Sequence, residues 1–118
     1  MELKVLSETP ELIRVRLSGT LDSSGVGEVE DDLKLSVVRA GYQQSAIVDL
    51  SGVSYMTSEG LRLLISVSRL VKRKGAKFVL LKPQRTVAEV IQISGLSNLL
   101  GVAMDEAAVE SMLSNKTD

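Results

Sequence analysis

Residues 46–65 read AIVDLSGVSYMTSEGLRLLI. The first five, Ala46-Ile47-Val48-Asp49-Leu50, form a short and mostly apolar run suited to a central strand. A short loop follows, and Thr57-Ser58 then opens an apolar helix expected to run from Ser58 to about Lys74. Ser58 therefore falls in the first turn of a helix, where unpaired backbone N–H groups and the positive end of the dipole favour an anion. Three roles are open to a serine placed there: a plain cap, a phosphate-accepting switch or an activated nucleophile.

Working outward, residues 2–6 and 11–18 read as a hairpin that turns around Glu8-Thr9-Pro10. Ile13, Val15 and Leu17 alternate with Arg14, Arg16 and Ser18, the period-two pattern of a half-buried strand. Gly19 breaks it. Asp22, Ser23 and Ser24 are N-cap candidates for a helix reaching about Ala40, with Val26, Val29, Leu33 and Val37 as its apolar stripe. Gly25 and Gly27 are expected to weaken its first turn, and Gly41 to stop it.

On the other side, Gly75 closes the Ser58 helix as a C′ residue, with Lys72, Arg73 and Lys74 complementing the dipole. Residues 77–81 are a strand ended by Pro83. Arg85 to Ser94 is a helix closed by Gly95, residues 99–102 a short strand, and Asp105 the cap of a helix from Glu106 to about Leu113. Ser114 to Asp118 is expected to be a flexible tail. The order β-β-α-β-α-β-α-β-α predicts one α/β domain with a mixed sheet, its parallel pairs joined by right-handed crossovers.

Composition narrows the chemistry. The chain has 118 residues, 44% of them hydrophobic and 25% charged, with a net charge of −1. That is enough chain for one buried core, and the charge leaves no footprint for nucleic acid. With 3% aromatics and no Trp, the core has to be built from Leu, Val, Ile and Met. There is no Cys and no His. Thiolate nucleophiles, Ser-His-Asp triads and imidazole acid–base chemistry are thereby excluded within the chain. The opening residues MELKVLSE lack a signal pattern and no apolar run approaches a membrane span, so a cytoplasmic protein without a membrane role is expected.

The candidate site is built around Thr57, Ser58 and Glu59. Thr57 is placed to be an N-cap, with Ser58 and Glu59 in the first turn, each stabilising the helix by about 0.3–1 kcal/mol. Alternatively, Ser58 accepts a phosphoryl group, which Arg62, one turn on, is placed to pair with. The nucleophile elbow Gly-x-Ser-x-Gly is absent, because position 56 is Met. Asp22 reads as a cap. Asp49 is expected near a strand end, on the sheet edge of the Ser58 loop, but the spacing of the two acids does not establish a metal site. Arg62, Arg69 and Arg73 share a helix face that is either solvated or a docking surface for an acidic partner.

Residues 48–61, VDLSGVSYMTSEGL, resemble the signature of STAS domains, specifically the bacterial anti-sigma factor antagonists. Three further landmarks agree in order and spacing: Leu17-Ser18-Gly19-Thr20-Leu21-Asp22, Lys74-Gly75-Ala76 and Ile93-Ser94-Gly95-Leu96. The resemblance spans roughly residues 3–113. It implies a single STAS domain: a mixed sheet of four to five strands with about four helices packed mainly on one face. It also implies a non-enzymatic regulator that binds an anti-sigma factor/serine kinase of the histidine-kinase-like ATPase type and is released on phosphorylation of Ser58. A serine phosphatase would reset it. The partner-binding residues it implies are Asp22, Ser23, Thr57, Ser58, Glu59, Gly60, Arg62 and Arg69, with no cofactor and no metal. The alternative is a non-switching STAS subunit of a lipid-transport or signalling complex. Two positions depart from the motif: Thr57 replaces an Asp and Glu59 replaces a small residue.

Overall fold

The structure, a computed structural model, describes residues 1–38, 43–97 and 99–114. Five strands form one sheet in the order β1-β2-β3-β4-β5, comprising β1 (Glu2–Glu8), β2 (Leu12–Leu21), β3 (Ser45–Met56), β4 (Phe78–Leu81) and β5 (Gly101–Ala103). β1 and β2 are the expected antiparallel hairpin, and every later pairing is parallel. The crossovers carry α1 (Ser23–Val37), α2 (Ser58–Arg73) and α3 (Arg85–Ile93), and α4 (Glu106–Ser114) follows the last strand.

The period-two pattern divides the strands between two cores. Ile13, Val15 and Leu17 of β2 join Ala46, Val48 and Leu50 of β3, and Phe78 and Leu80 of β4, in the larger core. α1, α2 and α3 close that face with Val29, Leu33, Leu64, Val67, Val71, Val87 and Ile91. The intervening residues Ile47, Val79 and Leu81 turn the other way, where Val109 of α4 and Ala103 complete a smaller core. Three helices thus cover one face and one helix part of the other. Each fully buried Leu, Val or Ile contributes about 1.5–3 kcal/mol of transfer free energy.

Helix ends follow the expected chemistry with some shifts. Asp22 caps α1 by accepting from the backbone N–H of Gly25 at 2.8 Å, and Asp105 accepts from that of Ala108 at 2.8 Å. Gly75, at φ +77°, ends α2 in a Schellman turn: its N–H donates to the Lys72 carbonyl and that of Ala76 to the Val71 carbonyl. α1 is helical to Val37; Ala40 and Gly41, where its end was expected, lie outside the described residues. Ser114 belongs to α4 rather than to a tail, and 115–118 are likewise not described.

The larger correction concerns β3. It does not stop at Leu50 but pairs with β2 as far as Met56, absorbing two register shifts, between Arg16 and Ser18 and between Gly19 and Thr20. Bulges of this kind let a strand carry extra residues without losing its partner. Gly52 lies at the first of them, and a Cβ there would come within 2.6 Å of Ser18 Oγ.

Candidate functional site

β2 and β3 end side by side, with Leu21 paired to Met56. Each strand turns at once into a helix, through Asp22 into α1 and through Thr57 into α2. Two helix N-termini therefore emerge from neighbouring strands on one sheet edge. The Leu21 carbonyl joins them, accepting from the Thr57 backbone N–H at 3.1 Å and from the Thr57 hydroxyl at 3.4 Å.

Two glycines allow this close approach. A Cβ on Gly25 would stand 2.0 Å from the Thr20 carbonyl oxygen, and one on Gly60 would stand 2.3 Å from that of Leu21. Any larger residue would push its helix off the end of β2. Gly25 therefore does not loosen α1 as its propensity suggests: it is buried and its N–H is capped. Gly60 is also buried, so its place in the expected partner surface is indirect, through the seating of α2.

Ser58, the first residue of α2, is exposed, as are Ser23, Arg62 and Arg69; Asp22 and Thr57 are half-buried. Thr57 departs from expectation. It occupies the N-cap position with extended backbone, yet its hydroxyl caps no backbone N–H. Instead the hydroxyl donates to Glu59 Oε2 at 2.8 Å. That hydrogen bond comes first, and the Glu59 backbone N–H, the Arg62 charge and, last, the Ser58 hydroxyl follow, against burial, in holding the Glu59 carboxyl below its ordinary range. The negative charge at this helix start is thus supplied by Glu59, two residues beyond the cap.

Asp49 is not where the sequence reading put it. Because β3 continues to Met56, Asp49 lies within the strand, on the face opposite α1–α3. It is buried and accepts from Arg16 at 3.1 and 3.2 Å and from the Ser51 N–H at 2.8 Å. Burial alone would raise its pKa; the Ser51 and Arg16 hydrogen bonds outweigh burial and lower it. Among the described residues no group of three or more acidic, His or Cys side chains could hold a metal. Tyr55 is 52% exposed one residue before the end of β3. Val53 and Met56 on either side of it are buried, three residues apart because the register shift between Gly19 and Thr20 interrupts the period-two alternation.

This fold, a mixed five-stranded sheet with four helices, has counterparts among known proteins. The family model of the STAS domain matches residues 4–109, and the chain belongs to that family. It is 28% identical over 110 residues to the anti-sigma F factor antagonist of Lysinibacillus sphaericus, a match covering 93% of each chain. It is 27% identical over 103 residues to the anti-sigma-B factor antagonist of Staphylococcus aureus, covering 86% of this chain and 94% of that one. The fold is shared with the unphosphorylated anti-sigma factor antagonist SpoIIAA, at 24% identity and a TM-score of 0.75 over 98% of this chain and all of that one. Among the described residues no helix is long and apolar enough to cross a membrane.

Proposed function

We propose that this protein is an anti-sigma factor antagonist that works by partner switching in the cytoplasm. Unphosphorylated, it binds an anti-sigma factor that is also a serine kinase of the histidine-kinase-like ATPase type. Phosphorylation of Ser58 ends the complex, and a serine phosphatase restores it. The observation that carries this reading is the exposed Ser58 at the start of α2, beside the start of α1. Relatives matched along most of their length and named as antagonists of anti-sigma factors support the same class.

In the transfer step, the Ser58 oxygen attacks the γ-phosphorus of ATP held by the kinase. The new O–P bond forms as the bond to the ADP oxygen breaks, and the hydroxyl proton passes to a base of the kinase. The product carries about −1.5 to −2 charges where a bare hydroxyl had been. The docking surface comprises Asp22, Ser23, Thr57, Ser58, Glu59, Arg62 and Arg69, with Gly60 seating the helix beneath it. A phosphate there is tolerated inside the molecule by the helix dipole but leaves a charge to be desolvated or repelled across an interface. Incubation with the cognate kinase and Mg-ATP is expected to add one phosphate to the wild type and none to Ser58→Ala, read by mass spectrometry. Phosphate on the Ala variant would place the acceptor elsewhere.

A second reading, a non-switching STAS subunit of a lipid-transport or signalling complex, is favoured by one observation: the acid at this site is Glu59, not residue 57. Co-purification with transporter components and no kinase would support it; a kinase partner alone would exclude it.

A further inference from the structure

Thr57 occupies the N-cap position of α2, but its side chain does not cap a backbone N–H. Its hydroxyl is committed to Glu59 Oε2 at 2.8 Å, with the Leu21 carbonyl as a longer second acceptor at 3.4 Å. Its backbone N–H is fixed by the same carbonyl. The residue that anchors Glu59 is therefore itself tied to the end of β2. Ser58 lies between the two clasped residues.

We propose that the Thr57–Glu59 hydrogen bond is a clasp holding a carboxylate over the start of α2, so that a phosphoryl group placed on Ser58 must share or displace a negative charge already seated there. The inference rests on Ser58 as the phosphoacceptor and names the residue that regulates it. A phosphate on the first residue of α2 draws on the same Glu59 N–H, the same dipole and the same Arg62 that now serve Glu59. Two anions compete for one set of positive partners. The charge that acts on Glu59 is that of Arg62 on α2; at the neighbouring helix start the Asp22 carboxylate is engaged with the Gly25 N–H. Glu59 is thus a positioning residue that sets how readily Ser58 accepts and sheds phosphate.

The test does not depend on finding the kinase. In the unphosphorylated protein, side-chain NMR titration of Glu59 is expected to give a midpoint below the ordinary glutamate range, which is about 4.3. Thr57→Val, which keeps the branched shape and removes the hydroxyl, is expected to move that midpoint upward. With phosphoserine incorporated at position 58 during translation, phosphorus NMR reads its second ionisation, ordinarily at about pH 6. Like charges disfavour the dianion, so Glu59→Gln is expected to lower that value by roughly half a unit. Gln keeps an oxygen for Thr57, so the clasp survives without its charge. An unmoved Glu59 midpoint in Thr57→Val, or an unmoved phosphoserine ionisation in Glu59→Gln, overturns the clasp. Failure of any kinase to modify Ser58 would overturn the switch but leave both titrations as measured.

Discussion

At the scale of single residues, the site depends on what is missing as much as on what is present. Gly60 has no Cβ to strike the Leu21 carbonyl, and that alone lets α2 begin where β3 ends. Gly60→Ala is expected to lower stability by about 1–3 kcal/mol, the usual cost of overpacking, in a denaturant titration. Asp22→Ala removes the α1 cap and is expected to cost about 1 kcal/mol in the same measurement. An Ala at 60 that leaves stability unchanged would mean that the backbone there has room it does not show. Ser58 carries little structural weight: it is exposed and makes the least of the interactions that lower Glu59, so Ser58→Ala should change stability by less than about 0.5 kcal/mol.

At the scale of elements, α2 presents two faces. Leu61, Leu64, Val67 and Val71 are buried, while Arg62, Arg69 and Arg73 are exposed. A basic face beside Ser58 should steer an acidic partner, so Arg62→Glu is expected to weaken kinase binding about tenfold, and less so at high salt. Equal affinity across a salt series would remove α2 from the interface. This helix was legible in the sequence because its signals are local: an apolar stripe, a basic last turn and Gly75 as a stop. So was β2, whose alternation is regular. β3 was not, because its last third is held by bulged pairing with β2, and polar Ser51, Gly52 and Ser54 carry no strand signature of their own. That shortfall displaced Asp49, which was read as a strand-end acid near Ser58 and is instead Arg16's partner on the far face. Ser58, Thr57 and Glu59 were placed correctly in the chain, but the hydrogen bond between Thr57 and Glu59 was not legible. Cap preference favours a threonine bonded to backbone, and only the positions of the Leu21 carbonyl and the Glu59 side chain decide otherwise.

At the scale of the whole molecule, the two faces of the sheet divide the work. The face under α1–α3 holds the larger core and delivers two helix starts to one edge. The other face is tied by Arg14 to Glu106 through two hydrogen bonds of 2.9 Å, and by Arg16 to Asp49. Asp49 makes acid stability a test of that face. Its folded pKa lies below its unfolded value, so the stability it lends is complete above about pH 4 and is lost as pH falls through the lower folded value. Asp49→Asn is therefore expected to show a shallower loss of stability below pH ~4 than the wild type; an identical acid limb would mean that other carboxylates set it. Neither the Arg14–Glu106 pair nor the Arg16–Asp49 pair includes Ser58, so a phosphate at Ser58 is expected to leave the domain folded. The most direct test is calorimetric binding of the cognate anti-sigma factor kinase to the wild type and to the protein carrying phosphoserine at position 58. Tight binding of the first and at least about tenfold weaker binding of the second, with both equally folded, is the predicted result. Equal affinity for the two forms would contradict the switch.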